Sequence, residues 1–192
     1  MRIHVGTSGW HYKHWRGDFY PERFAPARML PWYAREFETV EINNSFYRLA
    51  EEKTFAHWKE SVPPGFIFAV KASRFITHIK RLKDARASLD LIFSRAHPLG
   101  DSLGPILFQL PPRWKKNAER LQEFVELLPR DQKSVIEFRD ETWCCPEIYR
   151  ILRNAGVALC LHDWRETPWP REITADFSYV RFHGSGTRYG GN

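Results

Sequence analysis

Charged side chains follow short apolar runs at several points in the chain, and their types suit acid–base or anion-binding chemistry. Glu41 and Glu137 could each accept or donate a proton. Arg139 and Arg181 could clamp a phosphate or carboxylate through two parallel hydrogen bonds. Lys71 could supply a further positive charge or, less commonly, form a Schiff base. This mixture of cations and carboxylates favours an anionic or polyhydroxyl ligand.

Seven apolar runs, each ending in polar residues, could bring these groups to one place. They are Ile3 to Ser8, Thr39 to Asn43, Phe66 to Ser73, Ile106 to Gln109, Val135 to Arg139, Val157 to Asp163 and Tyr179 to His183. Strand side chains alternate between faces, so the polar members of each run share the face opposite the apolar ones. The predicted inward set comprises His4, Ser8, Glu41, Asn43, Lys71, Gln109, Glu137, Arg139, Asp163, Arg181 and His183. In the sixth run the register is ambiguous, and either His162 or Asp163 points inward.

We assign predicted roles to most of this set and to Trp10, which follows the first run. We predict catalytic roles for Glu41, Glu137, Lys71 and Asp163. We predict ligand-binding roles for Ser8, Trp10, Asn43, Gln109, Arg139, Arg181 and His183. A divalent-metal-dependent hydrolase is an alternative, but the three cations disfavour a metal cluster, and we assign no metal ligand. Another alternative is that the charges neutralise one another and fill the centre of the fold without a ligand.

Two loops combine aromatic and basic residues. The loop after the first run carries Trp10, Lys13 and Arg16, and the segment after the third run carries Arg74, Lys80 and Arg81. Aromatic rings among cations can stack bases while holding phosphates, so a nucleic-acid-binding protein is the rival hypothesis. The alternative for the tryptophans is simple packing over the mouth of the fold.

Helical patterns separate the apolar runs. The predicted helices are Pro26 to Phe37, Thr54 to Val62, Ala85 to Ala96 with Asp84 as N-cap, Ala118 to Leu128 with Asn117 as N-cap, and Glu147 to Asn154 between Pro146 and Gly156. Only a short, broken helix fits Trp164 to Phe177. Alternating strands and helices predict an α/β fold, a TIM-like parallel β/α barrel with its site at the carboxyl ends of the strands.

Composition limits the class of protein. The 192 residues, 43% of them hydrophobic, suit a single barrel domain over residues 1–192, and the net charge of +6 favours acidic partners. No apolar run approaches the roughly 20 residues that span a bilayer. Three cysteines without metal-type spacing predict a reducing, cytoplasmic setting. The sequence identifies neither a cofactor nor an oligomeric state.

Longer motifs resemble a known family. They are Ile3 to Trp10 with Tyr12, Trp15, Gly17 and Phe19 to Pro21; Thr39 to Asn43 with Ser45 to Tyr47; Phe68 to Ser73 with His78 and Leu82; Phe108 to Pro112; Glu137 to Arg139 with Trp143; Asp163; and Tyr179 to Gly184. In these motifs the chain resembles the YecE-like family, known as domain-of-unknown-function family seventy-two. The resemblance implies a TIM-barrel-like fold and supplies no established substrate. It also implies a further helix and an eighth strand beyond the seven, so we expect a barrel that is C-terminally incomplete or open.

Overall fold

The computed structural model describes residues 2–164 and 171–184, and seven parallel strands organise them. The strands are β1 (Gly6–Ser8), β2 (Thr39–Ile42), β3 (Ile67–Lys71), β4 (Leu103–Gln109), β5 (Ser134–Glu137), β6 (Ala158–His162) and β7 (Tyr179–Arg181). They follow the chain order β1-β2-β3-β4-β5-β6-β7 in the sheet. Parallel pairing joins β1 to β2, β2 to β3, β4 to β5, β5 to β6 and β6 to β7. All seven predicted strands are present, and the predicted TIM-like parallel α/β class is confirmed.

Helices follow most of the strands, as parallel crossovers require. The α-helices are α1 (Met29–Tyr33), α2 (Asn44–Tyr47), α3 (Glu52–Glu60), α4 (Arg86–Ala96), α5 (Ala118–Glu126) and α6 (Pro146–Ala155). Short 3-10 helices occupy Lys13–Trp15, Pro26–Arg28, His97–Ser102 and Glu141–Trp143, and a π-helix occupies Phe75–Ile79. None of the helices in the described part of the chain is long and apolar enough to cross a membrane.

The chain divides into two compact units, and the first contains the described residues 2–73 and 90–105. Tyr33 of α1 is fully buried and joins two strands through its hydroxyl. The hydroxyl accepts a hydrogen bond from the Thr7 backbone N–H at 2.9 Å and donates one to the Thr39 carbonyl at 2.9 Å. Burial raises the pKa of Tyr33, so the phenol remains protonated and can donate. This residue fixes β1 against β2 and so positions the polar residues at the ends of both strands.

The second unit contains residues 74–89, 106–164 and 171–184. Leu107, Val135, Ala158 and Cys160 form a buried cluster on its strands. The predicted start of α5 and the predicted end of α6 are confirmed here. The Asn117 side chain accepts a hydrogen bond from the Arg120 N–H at 2.8 Å at the start of α5, and Gly156 adopts φ +66° directly after α6. Glycine tolerates this left-handed conformation without the steric cost of a Cβ, so α6 ends there and β6 can begin.

Two predicted helix boundaries were wrong. The helix expected over Pro26 to Phe37 ends at Tyr33, and its first turn is a 3-10 helix. Asp84 was expected to cap α4, but it has φ +46° and lies two residues before the first helical residue, Arg86. An N-cap residue normally has extended backbone angles, which Asp84 does not adopt. Of the segment Trp164 to Phe177, in which a short helix was expected, residues 165–170 lie outside the described residues, and 171–177 contain no helix.

Candidate functional site

A charged cluster lies at the carboxyl ends of β5, β6 and β7 in the second unit. Its centre is Glu137, the last residue of β5, whose side chain is fully buried. Arg139 forms an ion pair with Glu137 Oε1, and Arg181 of β7 donates to Glu137 Oε2 at 2.7 Å. The side chains of Arg139 and Arg181 are only 4% and 10% exposed. A buried carboxylate therefore lies between two nearly buried guanidinium groups.

Arg139 also connects the cluster to the residues that follow β6 and β7. Its Nη2 lies 2.8 Å from His183 Nε2. Its guanidinium lies over the Trp164 ring, 4.1 Å from the ring centroid, in a cation–π contact. Stacking on one side and hydrogen bonding in the plane hold the guanidinium in one orientation.

The tautomer of His183 follows from its partners. Arginine can only donate, so His183 Nε2 accepts from Arg139 and the ring proton is on Nδ1. Nδ1 then donates toward Asp163 Oδ1, which lies 3.3 Å away. Asp163 also accepts the backbone N–H of His183 at 2.6 Å and that of Gly184 at 3.3 Å. Asp163 thus holds both the imidazole and the backbone at the end of β7.

Both residues of the ambiguous sixth run contribute to the cluster. His162, the last residue of β6, donates from Nε2 to the Phe138 carbonyl at 2.9 Å, because a carbonyl oxygen can only accept. His162 Nδ1 accepts the Trp164 N–H at 3.3 Å. The sequence assigned no role to His162 or Trp164. An aromatic residue directly after a polar strand end was the available signal for Trp164.

Burial and neighbouring charges shift the pKa values of Glu137, His162 and His183, and the shifts determine which of these groups are charged at neutral pH. Burial alone would raise the pKa of Glu137, but Arg181 and Arg139 outweigh it, so the net pKa lies below its usual value and the carboxylate stays ionised. Burial lowers the pKa of His162 to about 4. Burial, reinforced by the charge of Arg139, also lowers the pKa of His183. At neutral pH the cluster therefore contains two carboxylates, two guanidinium groups and two neutral imidazoles.

A second polar group lies at the ends of β1 and β2 in the first unit. Ser8 Oγ donates to Glu41 Oε1 at 2.5 Å, and Asn43 Nδ2 donates to Ser8 Oγ at 2.5 Å. Glu41 is buried, and its carbonyl accepts the Gly9 N–H at 2.8 Å. Three predicted residues are thus joined in one hydrogen-bonded chain.

The remaining first-unit candidates lie on β3 and in the loop after β1. The ammonium of Lys71 lies 4.3 Å from the centroid of the Phe46 ring. The carbonyl of Lys71 accepts from the buried Ser45 hydroxyl at 2.5 Å, which ties α2 to the end of β3. Trp10 packs edge-to-face against Trp58 with the centroids 5.4 Å apart.

Two residues of the predicted inward set, Gln109 and His4, belong to neither of these polar groups. Gln109 ends β4 in register with Glu137 and is half-buried. His4 was expected with the strand-end groups, and that placement was wrong. It precedes β1, and its Nδ1 lies 3.7 Å from Glu38, which precedes β2, so it lies at the opposite ends of these strands.

The basic residues of the rival hypothesis make local contacts. Arg16 donates to the Phe24 carbonyl at 3.1 Å, and Lys80 donates to the Asp84 carbonyl at 3.1 Å. Arg81 lies over the Trp114 ring at 6.0 Å. Lys13 and Arg74 are exposed. Nucleic-acid binding stays a prediction. Across residues 2–164 and 171–184, no group of three or more His, Cys, Asp or Glu side chains is placed to hold a metal ion.

Known relatives share this sequence over part of their length. The chain is 27% identical over 158 residues to the UPF0759 protein YunF of Bacillus subtilis, which covers 77% of this chain and 54% of that protein. It is 28% identical over 108 residues to the UPF0759 protein YecE of Escherichia coli K12, which covers 56% of this chain and 40% of that protein. The chain thus spans about half the length of the curated relatives it matches.

Solved structures share the fold. A DUF72 family protein from Thermotoga maritima superposes with a TM-score of 0.82 at 31% identity, covering 94% of this chain and 74% of that one. A DUF72 family protein from Enterococcus faecalis gives a TM-score of 0.69 at 22% identity over 81% of this chain, a likeness of fold alone. The family described as "Protein of unknown function DUF72" matches residues 4–192. The resemblance seen in the sequence motifs is therefore confirmed, and the chain belongs to the DUF72 family.

Proposed function

We propose that this protein is an enzyme that binds an anionic ligand, phosphorylated or sugar-like, at the carboxyl ends of its parallel strands. The observation that carries the proposal is the buried Glu137 between Arg139 and Arg181. Burying three charges is costly, and an apolar cluster of the same volume would often be as stable or more so. Polar side chains at the carboxyl ends of barrel strands are where enzymes of this architecture carry out chemistry.

The convergence of shifted pKa values supports the same assignment. Glu137, Asp163, His162 and His183 all have pKa values below their usual range, and all belong to this cluster. Burial and neighbouring charges shift the pKa values of titratable groups in this way at catalytic centres. Neutral imidazoles beside ionised carboxylates give the cluster both a proton acceptor and groups that stabilise positive charge.

In this proposal His183 is the general base. Its Nε2 is unprotonated and accepts from Arg139, while its Nδ1 faces Asp163. An incoming anion would compete for the Arg139 guanidinium and release the Nε2 lone pair toward the ligand. Asp163 would then stabilise the imidazolium that forms when Nε2 takes a proton.

In this proposal Glu137 orients the two arginines and does not act as a general acid. Since its pKa lies below the usual value, it is ionised at neutral pH and cannot supply a proton. It fixes the two guanidinium groups and sets the direction in which they face the anion. Glu41 remains the candidate acid or base of the first unit, with Ser8 as its hydrogen-bond donor.

Calorimetric titration with inorganic phosphate tests the binding step. We expect saturable binding to the wild-type protein and at least tenfold weaker binding to Arg181→Gln, because a charged hydrogen bond is worth about 1.5–3 kcal/mol. The matched control is Arg153→Gln, which removes an arginine that pairs with an acidic residue at a more exposed position. Equal weakening in the two variants, with both folded, would contradict the proposal.

Hydrolysis of p-nitrophenyl phosphate and bis(p-nitrophenyl) phosphate tests the chemical step. If either ester is turned over, His183→Gln should lower kcat by about 100-fold or more, the usual contribution of a general base. Normal turnover by a folded His183→Gln protein would show that the base was misassigned.

The nucleic-acid alternative has its own signature. Binding of a single-stranded oligonucleotide through phosphate contacts would weaken steeply as salt rises, with a slope of about −0.7 per neutralised phosphate. Substitution of Lys13 and Arg74 would reduce that slope, whereas Arg181→Gln would leave it unchanged. That pattern, without phosphate binding at the cluster, would favour the alternative.

A further inference from the structure

A separate cavity of about 330 Å³ lies in the first unit, next to the ends of β1 and β2. Its apolar surface comes from Trp10, Leu30 and Trp58, and its polar surface includes Asn43 and His57. The volume is near the lower end of the range for small-molecule sites, roughly 300–1,000 Å³. The combination of aromatic side chains with a few polar groups is also typical of such sites.

The orientation of Asn43 is set by the hydrogen-bonded chain behind it. Ser8 Oγ donates its proton to Glu41, so toward Asn43 it can only accept. The amide nitrogen of Asn43 must therefore face Ser8, which places the amide oxygen on the other side. Among the described residues, this buried Oδ1 atom has no hydrogen-bond donor. Buried acceptors without a donor are rare and costly. Asn43 lines the cavity, so a turn of its side chain that exposes this oxygen would allow a ligand hydroxyl to become its partner.

The aromatic walls define the shape of the ligand. The Trp10 and Trp58 rings are nearly perpendicular, at 86°, with centroids 5.4 Å apart. Trp58 is held in place by a second edge-to-face contact with Phe55 at 5.2 Å. Perpendicular rings do not form the parallel slot that would sandwich a flat aromatic base. They form a corner, which suits a puckered ring with C–H groups on more than one side.

The charge of the lining defines the ligand class. No Asp, Glu, Lys or Arg is among the described residues that line the cavity, and its polar side chains are amides, imidazoles and hydroxyls. Without an Asp, Glu, Lys or Arg side chain, the lining has no permanently charged group to pair with an ionised ligand. We propose that this cavity binds a neutral sugar ring, whose C–H groups lie against Trp10 and Trp58 and whose hydroxyl donates to Asn43 Oδ1.

This inference goes beyond the proposed function, because it assigns a second site that uses only residues of the first unit. It can therefore fail while phosphate binding at Arg181 succeeds, or succeed while that fails. The two proposals are distinguished by measuring the binding of phosphate and of methyl glycosides to the Arg181 variant and to the Asn43 and Trp58 variants.

The test is saturation-transfer NMR with the methyl glycosides of glucose, galactose, mannose, xylose and N-acetylglucosamine. We expect transfer from the wild-type protein to the ring C–H protons of at least one glycoside. Asn43→Ala should weaken that binding by about tenfold, the usual value of one hydrogen bond. The control Asn154→Ala removes an exposed amide in α6 and should leave affinity unchanged.

A second variant keeps the test decisive if Asn43→Ala does not fold. Trp58→Phe keeps an aromatic ring against Phe55 but reduces the wall of the cavity, and it should lower transfer to the C–H protons. The proposal is overturned if none of the five glycosides binds the wild-type protein at tens of millimolar. It is also overturned if a folded Asn43→Ala or Trp58→Phe protein binds them as the wild type does.

Discussion

Replacing Glu137 by Gln should be strongly destabilising, because it leaves two nearly buried positive charges without their carboxylate. The side chain is fully buried, and Arg139 and Arg181 are 4% and 10% exposed. Removing one partner from a buried ion pair costs about 3–5 kcal/mol. For a chain of this size, each kcal/mol lowers Tm by about 2–4 °C, so we expect a fall of roughly 6–20 °C by thermal unfolding. The matched control Glu147→Gln breaks an exposed pair with Lys116 and should leave Tm unchanged.

A second variant distinguishes the cost of an uncompensated buried charge from the loss of attraction between Glu137 and the two arginines. If the cost comes from uncompensated charge, removing all three charges at once should restore stability. The triple variant Glu137→Leu, Arg139→Met, Arg181→Met should therefore unfold within a few degrees of the wild type, as apolar replacements of buried ionic groups often do. A Tm for Glu137→Gln within about 2 °C of the wild type would refute the reasoning. So would a triple variant less stable than Glu137→Gln.

The contribution of Glu137 to the stability of the fold should depend on pH, and the direction of that dependence follows from its pKa. The folded pKa of Glu137 is below its unfolded value, so its contribution to stability is fully present above that unfolded value, about pH 4.3. The contribution is lost as the pH falls through the folded pKa. The difference in Tm between wild type and Glu137→Gln should thus be constant from about pH 6 to 8 and narrow below about pH 4. A difference that grows on acidification would contradict the assigned ionisation.

Three further predictions concern single positions. Burial lowers the pKa of His162 to about 4. Between about pH 6.5 and 4 the unfolded chain therefore binds a proton that the folded chain does not. The free energy of unfolding should fall on acidification by up to about 1.4 kcal/mol per pH unit. His162→Gln should flatten that slope in urea titrations, and exposed His14→Gln should not. Asn117→Ala removes the cap on the Arg120 N–H and should cost about 1 kcal/mol in urea unfolding, with no loss indicating that the cap is dispensable. Gly156→Ala places a Cβ at φ +66° and should cost about 1–2 kcal/mol by the same assay, while a neutral result would mean that the turn relaxes.

Strand alternation was enough to place part of the candidate site. Alternation assigned Glu137 and Arg139 to one face, and the structure shows them in a buried ion pair, although Arg139 lies two residues beyond the end of β5. The same argument placed Arg181, which reaches Glu137 from β7. The pairing of these charges could not be read from the sequence, because it depends on the register between strands and on side-chain length.

Alternation failed where the strands end. β6 ends at His162, so the period of two no longer applies to Asp163. Both side chains belong to the cluster: His162 bonds to the Phe138 carbonyl, and Asp163 accepts the backbone N–H of His183. The alternation also extended β1 back to His4, whereas the strand begins at Gly6. The four-residue helix α2 has no periodic apolar signal of its own. It contains Ser45, whose hydroxyl lies within hydrogen-bond distance of the Ile42 and Lys71 carbonyls.

The most direct test of the anion site is a crystal structure of the wild-type protein soaked with inorganic phosphate, from crystals grown without phosphate or sulfate. The account predicts a phosphate oxygen within about 2.7–3.2 Å of a guanidinium nitrogen of Arg139 or Arg181. It also predicts that the Arg139 contact to His183 Nε2, now 2.8 Å, lengthens as the anion takes its place. Phosphate bound only elsewhere, or a cluster that excludes phosphate at saturating concentration, would contradict it.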